Sequence, residues 1–461
     1  MTLGARAMAR SPPFLPIRTT MNMTYAEVLA HLDALQMHKI KLGLEAMQSF
    51  LAKVGRPEKS LRFVHVAGTN GKGSVCAALG EVLGRAGYRV GVYTSPHLCS
   101  VRERFRIGRE YISEAAFAEL GSRICRILAG GQITYFEFTT ALGLLWFAES
   151  QVDLVVFETG MGGRLDATNV VTPLVSVITS ISMDHEAYLG TSLAEIAGEK
   201  AGIIKAGVPV VSGAVHPEAA QVIERVSRER QAPLYSLRQE FDYTLGPAAT
   251  WTWRGGNAFA NLAIEKLQSS RASLVQPEND SLVIAVLQLL QKMGFVVGEQ
   301  HLRAGLAEVK WPGRMEYFEQ DAPATDQSKK VKKLRYLLDG AHNPDGVKNL
   351  ANTLSSNFTY RRLIAVWGSM VDKDLSTTLG AIAPLVDDLI FTRPAGERAA
   401  APEQMVAYLP EELKGRARCV ANIQEAVVAA QDAAEEEDLI VVGGSLYLLG
   451  AVRQILLGDL A

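Results

Sequence analysis

Between Leu61 and Ser236 the chain alternates short apolar runs with longer amphipathic ones, and this rhythm constrains the fold more than any other feature. RFVHVA, RVGVYT, DLVVFE, LVSVIT, VPVVSG and APLYSL have strand length and a high β-branched content. Helical spacing fills the gaps, over Ser74 to Ala86, Glu114 to Leu128, Phe138 to Ser150, Leu193 to Lys205 and Pro217 to Arg230. Strands joined by helices run parallel, and a parallel sheet needs helices on both faces. Ligands of such a sheet gather at the carboxyl ends of its strands.

A different texture follows, with aromatic and glycine residues over Phe241 to Gly256 and a helix-like run from Ser281 to Met293; the pattern breaks at Trp311-Pro312-Gly313. TDQSKKVKK, residues 325–333, reads as an exposed basic loop with no binding role. After it LRYLLD, LIAVWG, DLIFTR, ARCVAN and DLIVVG restart the alternation as a second α/β unit. At 461 residues and 48% hydrophobic content the chain has material for more than one core. The predicted organisation is a tail over 1–24, a first domain with a P-loop-type, mainly parallel sheet over 25–313, and a smaller Rossmann-like α/β domain over 314–461. A crevice between two open sheets suits the meeting of a nucleotide with another substrate.

Charge and cysteine usage exclude several functions. The 47 basic and 49 acidic side chains leave a net charge of -2, so no cationic field collects nucleic acid or an anionic membrane. Cys76, Cys99, Cys125 and Cys419 show no paired spacing, which argues against a zinc cluster or a disulfide scaffold and fits a reducing cytoplasm. No apolar run reaches the ~18 to 20 residues a membrane span needs. The opening MTLGARAMARSPPFLPIRTTMNM lacks an apolar signal core and reads as a loose tail, or as an upstream start with Met21 or Met23 the natural one.

The turn Gly68-Thr69-Asn70-Gly71-Lys72-Gly73, between the strand RFVHVA and a helix starting at Ser74, carries the strongest local signal. It departs from the common nucleotide loop, since Gly71-Lys72 is followed by Gly73 before the hydroxyl of Ser74. Glycines that tolerate left-handed angles, together with a helix start, still make an anion cradle. Phosphate is its natural occupant, with Lys72 against the β/γ charge and the Ser74 hydroxyl available to magnesium. Ser95 after RVGVYT, Glu158 at the end of DLVVFE and His185 after LVSVIT reach the same edge if the sheet is parallel. Taken singly, His185 reads as a structural or capping histidine, Glu158 equally as a polar strand end, and Lys200 in EKAGIIK as a solvated surface lysine.

Nine strings, HKIKLGLEAM, HVAGTNGKGS, YTSPHL, FETGMGGRLDATN, DHEAYLG, GEKAGIIK, WPGRME, LLDGAHNPDG and GSMVDKD, fall in order across nearly the whole chain. Together they resemble the folylpolyglutamate synthase and dihydrofolate synthase family within the Mur ligase group, whose nucleotide loop has this different spacing. The resemblance implies an ATP-dependent ligase that joins L-glutamate to dihydropteroate or a reduced folate through an acyl phosphate. It also implies a monomer, to which charge and cysteine usage add a cytoplasmic setting and no nucleic-acid or membrane partner.

The same resemblance implies site residues. The ATP set is Gly68, Thr69, Asn70, Gly71, Lys72, Gly73, Ser74, Asn279 and Arg314 of the first domain, with Asp339 and His342 of the second. One or two Mg²⁺ ions would be held by Ser74, Ser95, Glu158 and His185, and by Lys200 where that side chain is carbamylated. Lys72, His185 and Lys200 are the catalytic candidates. The pterin end is expected near Thr134, Phe136, Asp166 and Ala167, with Phe136 stacking on the ring and Asp166 accepting its N–H donors. On its residues alone Phe136 equally suits the core, and DGAHNP equally suits a turn and helix cap. The chain departs from the family at Val275-Gln276, where His-Gln is usual, and in its bulky basic insertion over 325–333. Two other readings are a Mur-type ligase acting on a cell-wall precursor and a regulatory P-loop ATPase without ligation.

Overall fold

The computed structural model describes residues 22–36, 43–270, 273–321 and 332–458. The first eight strands are β1 (Phe63–Ala67), β2 (Val90–Tyr93), β3 (Phe105–Ile107), β4 (Glu110–Tyr111), β5 (Leu154–Glu158), β6 (Val175–Ile178), β7 (Val210–Ser212) and β8 (Leu234–Ser236). They form one sheet in the order β4-β3-β2-β5-β1-β6-β7-β8. Every pairing from β2 to β8 is parallel, and β3 and β4 add an antiparallel edge. The chain builds outward on one side of β1 through β2 and β5, then on the other through β6 to β8. The crevice at the carboxyl end of β1 is therefore the switch point of the sheet.

The helices around it are α1 (Tyr25–Gln36), α2 (Glu45–Lys53), α3 (Lys72–Arg85), α4 (Glu114–Leu128), α5 (Tyr135–Glu149), α6 (Glu186–Leu189), α7 (Leu193–Ala201), α8 (Pro217–Glu229), α9 (Gln276–Lys292) and α10 (Glu299–Glu308). Strands β1, β2, β5 and β6 are buried at every position, as two covered faces require. On one face Val75 and Val82 of α3 meet Val286 of α9 and Leu302 of α10. On the other, Phe117 of α4 and Phe138 and Phe147 of α5 meet Phe157 of β5. Each such side chain contributes roughly 1.5–3 kcal/mol of burial. Beyond β8 a three-stranded antiparallel sheet of β9 (Phe241–Leu245), β10 (Thr250–Gly255) and β11 (Ala263–Gln268) carries Trp251 and Trp253 into the α3/α9 core.

The second α/β unit comprises β12 (Glu316–Asp321), β13 (Lys333–Leu338), β14 (Leu363–Trp367), β15 (Asp388–Phe391), β16 (Ala417–Cys419) and β17 (Leu439–Gly443), in the order β12-β13-β17-β14-β15-β16. Five strands are parallel, and β12 pairs antiparallel at the edge. Its helices are α11 (Pro344–Asn357), α12 (Leu375–Ile382), α13 (Pro402–Ala407), α14 (Glu411–Lys414), α15 (Ile423–Ala433) and α16 (Leu446–Leu457). Leu350, Leu379 and Phe391 pack one face, Val427, Leu448 and Val452 the other. No helix of the described residues is long and apolar enough to cross a membrane.

The mainly parallel two-sheet architecture expected from the alternation is present. The alternation did not reveal the β3–β4 hairpin, the β9–β11 sheet or β12, all antiparallel. Residues 38–42 of the first family string, 1–21 of the tail and 325–331 of the basic insertion lie outside the described residues. The last residue of that insertion, Lys333, opens β13 and pairs with Glu319 at 2.7 Å.

Candidate active site

Helix α3 begins at Lys72, two positions earlier than the sequence suggested, with Gly71 as its N-cap. The Val75 amide bonds to the Gly71 carbonyl at 2.9 Å as the first turn closes. The amides of Lys72, Gly73 and Ser74 precede that bond and have no carbonyl one turn back, which is the arrangement that binds anions at helix starts. Gly71 has φ of 87°, and a Cβ there would lie 2.3 Å from Asn279 Oδ1; one at Gly68, φ 151°, would lie 1.8 Å from Thr179 Oγ1. Glycine is obligatory at both positions. The first observation also sets Asn279 of α9 directly against the loop.

The loop after β6 braces this turn. Thr69 N–H donates to the Ser180 carbonyl at 2.7 Å, the Thr69 hydroxyl exchanges bonds with Ser182, and the Thr179 hydroxyl donates to the Asn70 carbonyl at 2.6 Å. Two ammonium groups converge on one carbonyl: Lys72 Nζ donates to Gly68 O at 3.0 Å and Lys200 Nζ at 2.9 Å. Lys200 is 3% exposed, so its reading as a solvated surface lysine is wrong. The tight ETGMGG turn packs on the end of α7, where a Cβ at Gly163 would meet the Glu199 and Lys200 carbonyls. Burial, and then Lys72, bring the Lys200 amine down to about 7.

Next to the loop, Glu158 at the end of β5 is 3% exposed and accepts the Ser95 N–H at 3.0 Å. Burial raises its carboxyl to about 7, against the pull of Lys72, Arg314 and Arg104. The Ser95 hydroxyl is buried without a hydrogen-bond partner. A narrow cleft lined by Gly73, Ser95, Glu158, Trp311, Arg314 and Leu446 joins these groups to the second α/β unit. A separate cavity of about 390 Å³, between the β3–β4 hairpin and the end of α5, contains none of them.

His185 follows β6 as expected but stands apart in character. It occupies a left-handed N-cap position with no side-chain capping bond, and its ring is 42% exposed. The His185 and His342 rings lie 3.9 and 3.8 Å from Asp184 Oδ2, and among the described residues no group of three or more His, Cys, Asp and Glu side chains is placed to hold a metal ion.

The second unit closes over the loop through DGAHNP. Asp339 accepts the Met315 and Ala341 amides at 2.8 and 3.0 Å, and His342 Nδ1 lies 2.7 Å from Gly340 O. A Cβ at Gly340 would sit 1.9 Å from Arg314 Nη1, so Arg314 packs directly against this turn. Asn343 caps α11 through Gly346 N–H and also exchanges side-chain bonds with Asn70 at 3.0 and 3.3 Å. The cap reading is thus realised in a string that also packs against the glycine turn. Asp184, passed over in the sequence reading, is the hub: Lys373 Nζ donates to it at 2.6 Å and Asn343 Nδ2 at 3.2 Å. Its only sequence signal was its place in DHEAYLG, with Lys373 in GSMVDKD.

At the pterin-side positions, Thr134 and Glu137 form a capping box at the start of α5. Phe136 is half-buried, its ring where a Cβ at Gly160 would fall and 6.1 Å from the Tyr93 ring. Asp166, expected to accept ring N–H groups, already accepts from Gly160 N, Met161 N, Thr168 N and Thr168 Oγ1 at 2.5–3.0 Å. That fills a carboxylate's four acceptor positions, so Asp166 shapes the loop beside Ala167. His65, wholly buried in β1, extends the chain by donating to the Thr168 hydroxyl at 2.8 Å. At the departure from the family pattern, Gln276 turns inward and donates to Asp280 at 2.7 Å, while Val275 remains exposed.

Residues 66–243 match the Mur ligase middle domain and residues 313–446 the Mur ligase, glutamate ligase domain. The chain is 34% identical to the dihydrofolate synthase/folylpolyglutamate synthase of Bacillus subtilis, over 90% of this chain and 95% of that protein. It superposes with a TM-score of 0.81 on E. coli FolC in complex with DHPP and ADP, at 32% identity over 94% of this chain and 97% of the other. The TM-score is again 0.81, at 30% identity over 94% and 99% of the two chains, for a bifunctional folylpolyglutamate synthase/dihydrofolate synthase with Mn, AMPPNP and L-glutamate bound. The glycine turn, the buried Glu158 and the closing DGAHNP string belong to a scaffold shared along its whole length, and the chain is a member of the folylpolyglutamate synthase/dihydrofolate synthase family of Mur ligases.

Proposed function

We propose that this chain uses ATP to join L-glutamate, through an amide bond, to the carboxyl group of reduced folates and of dihydropteroate. The observation that carries the reading is the convergence of a helix-start anion cradle, Lys72, Lys200, Arg314 and a buried carboxylate at one sheet edge, with Asp339 and His342 of the second unit against it. A carboxylate is a poor electrophile, and phosphorylation gives it a leaving group. An acceptor oxygen bonds to the γ-phosphorus as the bond to the β-phosphate oxygen breaks and ADP departs. The glutamate amine then bonds to the acyl carbon, losing a proton, and the acyl C–O bond breaks to release phosphate. Lys72 and Arg314 offset the repulsion between the anions that meet in the first step.

The residues fit a divalent metal. Magnesium takes oxygen donors and keeps several waters, and the partnerless Ser95 hydroxyl, the Ser74 hydroxyl and Glu158 supply that chemistry. A bound ion would supply positive charge against the charge that develops during phosphoryl transfer. Lys200 at about 7 is partly the free amine that reacts with CO₂, and carbamylation would turn a second cation beside Lys72 into an oxygen donor. A Lys200→Ala enzyme that keeps full, CO₂-independent turnover would refute that role. Phe136 and Ala167 would flank the pterin, with Asp166 holding their loop. The enzyme is expected to work as a cytoplasmic monomer.

The test is mass analysis of products after incubation with MgATP and glutamate, separately with dihydropteroate and with tetrahydrofolate. A mass gain of one glutamyl residue on each acceptor is expected. Glutamylation of tetrahydrofolate alone would restrict the activity, and ATP hydrolysis indifferent to both acceptors would overturn it.

A further inference from the structure

Arg104 is the strongest unexplained group in the molecule. It sits between the 3-10 turn Val101–Arg104 and β3, it is only 7% exposed, and it pairs with no carboxylate among the described residues. A guanidinium cannot shed its charge, so burial without an anion is costly unless a ligand supplies one. The neighbouring carboxylates are committed elsewhere. Glu103 accepts the backbone amides of Leu98, Cys99 and Ser100 at 2.6–2.8 Å, and Glu158 accepts that of Ser95.

The side chain is nevertheless held in place. Its Nε donates to His97 Nδ1 at 3.0 Å and its guanidinium lies over the Tyr135 ring at 5.3 Å, while the Arg104 backbone carbonyl accepts the Thr94 amide at 3.1 Å. Because an arginine Nε only donates, His97 Nδ1 carries no proton, so the imidazole adds no anion. These three contacts fix where the site lies. His97 is two residues after Ser95 of the metal-side strand end, and Tyr135 stands between Thr134 and Phe136 on the pterin side. Arg104 is also close enough to Glu158 to oppose the effect of burial on that carboxyl. A molecule with its ring at Phe136 and its reacting end at Glu158 passes this guanidinium.

We propose that Arg104, oriented by His97 and Tyr135, receives the carboxylate of the acceptor substrate and positions it for phosphorylation. The inference rests on the ligase reading above and names a recognition element within it. A planar guanidinium matches a carboxylate with parallel N–H donors, whereas the nucleotide already has the glycine turn, Lys72 and Arg314. A pteridine without its carboxyl tail is then expected to bind less tightly than one that carries it.

Equilibrium binding of pteroate and of its primary amide to the full chain tests the assignment without relying on turnover. The unaltered protein should prefer the acid by about tenfold or more, the scale of one charge-assisted pair. Arg104→Gln should bind acid and amide alike, and Arg104→Lys should restore part of the preference. In steady-state assays Arg104→Gln should raise the acceptor KM about tenfold while the ATP KM moves less than about twofold. Equal binding of acid and amide by the unaltered protein would overturn the proposal, as would a rise confined to the ATP KM, which would assign Arg104 to the terminal phosphate. If the unaltered protein makes no glutamylated product yet Arg104→Gln still loses the acid preference, the ligase reading falls and the receptor stands. If product forms and the variant keeps the preference, the receptor falls alone.

Discussion

Individual residues in this site are marked by what they leave unsatisfied. Ser95 combines full burial of its hydroxyl with no partner, a state that costs about 1–3 kcal/mol and that a bound cation would relieve. Ser95→Ala is therefore expected to raise the Mg²⁺ concentration for half-maximal turnover about tenfold, without lowering the thermal midpoint in metal-free buffer; a metal titration and a melting curve read the two effects. His65 gives a different signature. Burial holds its imidazole at about 3, against an ordinary 6.5, so the folded protein resists protonation that the unfolded chain accepts. Its contribution to stability is complete above about 6.5 and is lost as pH falls toward 3, at about 1.4 kcal/mol per unit. Denaturant unfolding followed from pH 7 to 5 should show this slope, and His65→Gln should flatten it.

At the scale of elements, the strand β1, the glycine turn and α3 form one unit whose geometry replaces the usual nucleotide-loop spacing. Starting α3 at Lys72 puts Ser74 in its first turn, where a hydroxyl and three unpaired amides face the same place. Gly71→Ala must both adopt a positive φ and displace Asn279. A loss of about 1–3 kcal/mol in stability is expected, together with at least a tenfold weaker ATP dissociation constant, measured by calorimetry. The antiparallel pieces have no such unit behind them. β3 and β4 are three and two residues long, and β12 alternates intermediate and exposed positions along a sheet edge. Short edge strands carry little hydrophobic signal, which is why the alternation of apolar runs did not show them.

In the whole molecule the two α/β units are clasped at the nucleotide turn by Asp184 with Lys373 and Asn343, and by Asn343 with Asn70. Asp184 and Lys373 are 9% and 13% exposed, so removing one partner strands the other's charge. Asp184→Asn is expected to cost about 3–5 kcal/mol of domain closure. Its kcat should fall more than its ATP affinity, and small-angle scattering should record a larger radius of gyration than in the unaltered protein. An unchanged radius together with unchanged kcat would show that the clasp does not govern closure. Cys99 adds a further thread, its thiol 3.4 Å from the Gly450 carbonyl across the same seam.

The sequence by itself determined the two parallel sheets, because runs of apolar β-branched residues separated by helical spacing have few other ways to bury both faces of a strand. It also determined the glycine turn between β1 and α3, since strand, glycines, lysine, hydroxyl and helix start are contiguous and act through local backbone geometry. What only the tertiary structure decided depends on groups far apart in the chain. Lys200 looked solvated beside Glu199 until the ETGMGG turn packed over it. Asp166 looked free to meet a ligand until Gly160, Met161 and Thr168 filled its lone pairs. Arg104 carried no signal in its own neighbourhood and Asp184 only its place in DHEAYLG, because whether a charge is exposed, paired or stranded is settled by which distant surfaces close around it.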